Sequence, residues 1–170
     1  MLDSHADTTC IGRNFRVISH TDKVCEVFPY HPGYESIQEA PIVQAAMAYD
    51  DPDSGETFIL VVNQCLHLGD MMEHTLMNPN QLRANGIIVN DVPVHLATDP
   101  SKATHSIHVI KDDLVIPLTL KGIVSTFPTR CPSTIVNRLF SQVMKNGYLT
   151  AMYSYKENVS GSQIASPSKR

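Results

Sequence analysis

The chain has no surplus of basic charge, no long apolar run and no clustered cysteines, and each lack closes off a class of function. Lys and Arg number 13 against 17 Asp and Glu, a net charge of -4, so no basic field is available to hold nucleic acid. The apolar run at residues 58–62 falls far short of the roughly 20 residues that span a bilayer. No basic stretch leading into an apolar one opens the sequence, so a secretory signal is not expected. These features predict an intracellular protein, cytoplasmic or nuclear, without membrane or direct nucleic-acid partners. Cys10, Cys25, Cys65 and Cys131 show no C-x-x-C spacing, which favours free thiols in a reducing compartment over disulfides. Asn158-Val159-Ser160 fits the glycosylation pattern but, without a signal peptide, is read as chance.

What is present is globular in character. Apolar residues make up 42% and charged residues 18% of 170 residues, enough for one domain with a core and too few for two. The eight histidines lie at positions 5, 20, 31, 67, 74, 95, 105 and 108, and only the last two are close. They flank a strand-like Ser106-Ile107 and so point to opposite faces, which argues against a zinc cluster.

Apolar runs at residues 41–49 and 56–63, separated by Asp50-Asp51-Pro52-Asp53-Ser54-Gly55, predict a hairpin. Asp53-Ser54-Gly55 matches the core triplet of an aspartic protease loop, but it follows Asp-Asp-Pro in a polar turn and is read as a turn. Further short β runs are expected at 15–19, 24–28, 87–90, 107–110 and 114–120, which together predict a mainly β domain, a barrel or sandwich. Asn78-Pro79 and Gly86 bracket a short helix with an N-cap residue, proline at its first position and a terminating glycine. From Ser133 the spacing of Ile135, Val136, Leu139, Phe140, Val143 and Met144 predicts an amphipathic helix that docks on the barrel or on another chain. Beyond Tyr155 a Ser-, Asn- and Lys-rich composition predicts disorder.

With the elements in order, the opening residues acquire a meaning. Leu2-Asp3-Ser4-His5-Ala6-Asp7-Thr8-Thr9 resembles the catalytic loop of retroviral-type aspartic proteases, usually Leu-Asp-Ser/Thr-Gly-Ala-Asp/Ser/Thr. Some 70 residues on, HTLMNPNQLRANGIIV (74–89) is similar to the Asn-Leu-Leu-Ser-Val-x-Gln-Leu-x-x-x-Gly stretch of Copia-like retrotransposon proteases. Residues 34–76 look like the flap hairpin and following strand of such segments, and 112–133 resemble their end, so the resemblance spans about residues 2–133.

The resemblance implies a single-lobe retropepsin-like acid-protease barrel at 1–131, with a flap hairpin and one short helix, followed by the amphipathic helix at 132–147 and a disordered tail at 156–170. It implies an aspartic endopeptidase that processes a retrotransposon polyprotein. Asp3 is then the catalytic carboxylate. Ser4 hydrogen-bonds across the loop, His5 stands at its turn, Ala6 packs under it, and Asp7 with Thr8 contacts substrate backbone. Two such carboxylates share one proton, since like charges so close cannot both ionise cheaply, and together they activate water. One loop per chain means that the second Asp3 comes from a two-fold homodimer. The substrate is an extended peptide lying as an added strand under the hairpin at 41–63. No cofactor is implied.

The chain departs from that pattern in two places. His5 occupies the family's glycine position, where a side chain risks about 1–3 kcal/mol of strain if φ is positive. The strand that precedes the loop in the family is missing before Asp3, which predicts exposed backbone donors there. Two rival readings follow: a truncated, non-catalytic β-barrel remnant acting as a dimerisation module, and a divalent metal site at Asp3, His5 and Asp7.

Overall fold

The computed structural model describes residues 1–4 and 6–132 and the two-residue strand Lys156–Glu157. The fold is mainly β. Its spine is an antiparallel trio, β2 (Arg16–Val27), β3 (Ile37–Asp50) and β4 (Thr57–Gly69), with β1 (Cys10–Gly12) added parallel to the far edge of β4. A second sheet contains β5 (Ile88–Asn90), β6 (Ser106–Val109) and β7 (Leu114–Pro117); β8 (Thr119–Lys121) and β9 (Val124–Thr126) form a separate ribbon. The one α-helix among the described residues, α1 (Pro79–Ala84), lies between β4 and β5.

The β3–β4 hairpin is buried on both faces. One face contributes Val43, Ala45, Met47, Tyr49, Phe58, Leu60 and Val62 to the main core, where they meet Leu82, Ile107 and Ile116. The opposite face places Ala46, Ala48, Ile59 and Val61 in a second cluster with Ile18. Burial on both faces explains why residues 58–62 read as a continuous apolar run rather than an alternating one, since neither face meets solvent. The turn is built from Asp51, whose carboxylate accepts Asp53 N–H at 3.3 Å, Ser54 N–H at 3.2 Å and the Ser54 hydroxyl at 2.5 Å. Gly55 at φ 70° supplies the left-handed step. The Asp53-Ser54-Gly55 triplet is therefore a turn.

Several predicted strands have different bounds. The runs at 15–19 and 24–28 are one continuous β2, because three register shifts against β3 absorb the polar residues between them. The run at 114–120 divides at Leu118 into β7, paired with β6, and β8, paired with β9. The expected tail at 156–170 begins in a strand: Lys156 and Glu157 pair antiparallel with Phe58 and Thr57 of β4. The expected helix at 132–147 and the rest of the tail lie outside the described residues, apart from Pro132.

The expected flap at 41–63 needs a larger correction. Its two arms are core strands whose residues are packed on both faces, so they cannot lift off a substrate. The β2–β3 hairpin packs Val27 and Ile37 against a cluster containing Cys10, Leu66 and Leu68 and leaves its connection exposed. Its connecting residues carry Phe28, Tyr30 and Tyr34, which are 73%, 107% and 73% exposed.

Candidate functional site

The loop at residues 3–9 begins and ends on either side of a single strand segment, Thr75 to Met77. On one side, the Met1 nitrogen donates to the Thr75 carbonyl at 2.8 Å, Met77 N–H to the Met1 carbonyl at 2.8 Å and Asp3 N–H to the Met77 carbonyl at 2.9 Å. On the other, Cys10 and Leu76 exchange both backbone hydrogen bonds at 2.9 Å. The loop arches over the strand that separates its two ends. Leu2 N–H also donates to the Ser125 carbonyl at 2.9 Å, so residues 1–3 lie between β9 and residues 75–77. The expectation of exposed donors before the loop is thus overturned: the amides of Leu2 and Asp3 are both bonded.

Asn78, immediately after the threaded strand, fastens the loop to α1. Its side-chain oxygen accepts Asn80 N–H at 2.7 Å and Gln81 N–H at 2.9 Å, capping the helix, while its amide nitrogen donates to the Ala6 carbonyl. Gln81 completes the attachment: its Oε1 accepts Thr9 N–H at 2.9 Å and the Thr8 hydroxyl at 3.3 Å. Asn78 N–H in turn donates to the buried Thr9 hydroxyl at 3.2 Å. Thr75, also buried, accepts Gly12 N–H at 3.0 Å and donates to Asn14 Oδ1 at 2.7 Å. Every one of these buried polar groups has a partner, which makes the loop's base rigid.

On this base, Asp3 is half-buried, Ala6 and Thr8 are half-buried, and Ser4 and Asp7 are exposed. The Thr8 hydroxyl donates to Gln81 Oε1 and to the Gln64 carbonyl, which ties the loop down. Asp7 points to the surface. His5 lies outside the described residues, so the metal set that depends on it does too. Among the described residues no group of three His, Cys, Asp or Glu side chains could hold a metal ion.

The thiols near the loop are poorly suited to nucleophilic work. Burial raises the Cys10 thiol above its ordinary value, with smaller contributions from Cys25 and Asp3, and burial pushes Cys65 up to about 12. All four cysteines are free thiols, as their spacing suggested.

Thr9, Asn78 and Gln81 lie in the two stretches that carry the resemblance but have no assigned role in the sequence reading, and Ser125 is not singled out there at all. Asn78 was visible as a helix cap, yet its grip on a carbonyl 72 positions earlier was not. His105 and His108 differ in setting: His105, just before β6 and at positive φ, is 4% exposed and bonded to Ser125, whereas His108 is half-buried on β6.

Comparison with protein-family models, with curated proteins and with solved structures returns no match for this chain. Among the described residues no helix is long and apolar enough to cross a membrane.

Proposed function

We propose that the chain is an aspartic endopeptidase domain of the retropepsin-like kind, with Asp3 as its catalytic carboxylate. The observation that carries this reading is the joining of two remote stretches. Residues 2–9 and 74–89, each singled out by its likeness to a Copia-like protease, are bonded to each other through Met77, Asn78 and Gln81.

A carboxylate that must be held near a second one needs a support that does not yield. The backbone bond from Asp3 to Met77 and the capped helix beneath Ala6 supply such a support. The second carboxylate is the Asp3 of another copy across a two-fold axis. The pair shares one proton; the ionised member takes a proton from water as it attacks the peptide carbonyl, and the protonated member polarises that carbonyl. No covalent intermediate forms.

The substrate in this reading is an extended polyprotein segment, held by main-chain hydrogen bonds. The covering element is the β2–β3 end with Phe28, Tyr30 and Tyr34, since the 41–63 hairpin is fixed in the core. Exposed aromatics on a surface connection suit contact with an apolar peptide side chain.

Purified protein is expected to cleave peptides at acidic pH and to be inhibited by a statine-type mimic of the tetrahedral intermediate. A non-catalytic dimerisation module predicts no cleavage from acid to neutral pH and no binding of that mimic, and that pair of results would exclude the proteolytic reading.

A further inference from the structure

Ser125 makes two contacts that connect a buried histidine to the Asp3 segment. Its carbonyl accepts Leu2 N–H at 2.9 Å, and its hydroxyl lies 2.9 Å from His105 Nε2. His105 also binds the partner strand's approach: its carbonyl accepts Leu118 N–H at 2.8 Å, one residue before β8. His105 therefore holds β9 through Ser125 and the residue just before β8 through Leu118.

The ribbon needs such a grip. Two strands of three residues are marginal on their own, and β9 is the outer neighbour against which residues 1–3 are set. His105 is nearly fully buried and sits at φ 53°, a left-handed region that a side chain with a Cβ enters at a cost. An apolar residue would fill the same volume, but a polar nitrogen at that place is needed to fix the Ser125 hydroxyl.

We propose that His105 and Ser125 form a positioning pair that holds the backbone of Leu2 and Asp3 in place from the β9 side. The proposal rests on the reading of Asp3 as the catalytic acid for its functional meaning, though not for its geometry. The pair acts at one remove from the carboxylate: His105 to Ser125, Ser125 to Leu2, Leu2 to Asp3.

The test is amide hydrogen exchange on the full chain, for the wild type, Ser125→Ala, His105→Leu and His105→Gln. Gln retains a side-chain nitrogen able to meet Ser125, so it is the conservative rescue. Exchange at Leu2 and Asp3 is expected to rise about tenfold in Ser125→Ala and His105→Leu and to stay within about twofold of wild type in His105→Gln. The amides of Ile107 and Val109 are expected not to change. Unaltered exchange at Leu2 and Asp3 overturns the proposal, and so does an equal rise at Ile107 and Val109, which reports general loosening. Ser125→Ala leaves no large cavity and decides the matter if His105→Leu does not fold. If the wild type cleaves peptide, kcat should fall in Ser125→Ala with KM unchanged, and a rise in KM alone counts against positioning. A wild type without activity removes the proteolytic reading and leaves the exchange result to judge the pair.

Discussion

The β3–β4 and β2–β3 hairpins share a strand but differ in almost every other respect. β3–β4 closes through a six-residue polar turn tied by Asp51, and its arms are packed on both faces. β2–β3 has three register shifts and ends in a stretch that exposes three aromatic rings. One hairpin gives the domain its stability, and the other presents side chains to whatever approaches. The sequence pattern marks the first as a hairpin, and the resemblance to the retrotransposon segment is what implies a covering flap there. Regular, doubly buried strands are those least free to move.

That contrast can be broken most forcefully in the core. Leu60, fully buried in the β4 arm of the hairpin, should lose about 3 kcal/mol of stability as Leu60→Ala, read by denaturant unfolding. A loss under about 1 kcal/mol would mean that the hairpin is not the structural centre.

The next largest effect is expected where the loop is fastened. Asn78→Ala removes the helix cap and the bond to Ala6 together, and should cost about 2 kcal/mol. Amide exchange should rise first in the loop and in α1, before the β3–β4 amides; a simultaneous rise would show that loop and core are one unit.

A smaller effect concerns pH. Burial lowers the His105 imidazole below its ordinary 6.5, opposed by Asp91 and assisted by His95. The unfolded chain therefore binds the proton first, so stability is fully present above pH 6.5 and declines as pH falls from there toward the lower folded value. His105→Gln should flatten the stability curve in that window, while an unchanged slope would assign it to other groups.

The smallest change in stability is expected at the exposed β2–β3 connection. Tyr30→Ala should alter unfolding free energy by less than about 0.5 kcal/mol, because the ring is fully exposed. It should nevertheless raise KM for peptide cleavage. A stability loss comparable to that of Leu60→Ala would erase the distinction between the hairpins.

What could be read from the sequence was local. The turn at 50–55 and the helix opening at Asn78-Pro79 each depend on neighbouring residues with special backbone or capping roles, and both occur where expected. The polar centre of β2 reads as a break in sequence, whereas pairing with β3 carries the strand through by shifting register. The stretch 114–120 reads as one strand because nothing in its apolar character marks the change of partner at Leu118. In the site, Asp3 and Asn78 belonged to separate legible stretches. The bonds that unite them, from Thr9 to Gln81 and from Asn78 to Ala6, span 72 positions each and follow no periodicity. The His105–Ser125 contact had no signal, since a histidine at positive φ is a tertiary outcome.

The central claim is that Asp3 works only as one of a pair drawn from two chains. The direct measurement is peptide cleavage at acidic pH by wild type, by Asp3→Asn, and by the two co-refolded in equal amounts at fixed total protein. Asp3→Asn should be inactive yet folded and dimeric, and the mixture should retain about one quarter of wild-type activity, the share of dimers with two intact carboxylates under random assortment. Activity in Asp3→Asn itself, or a mixture at half of wild type, would contradict the account.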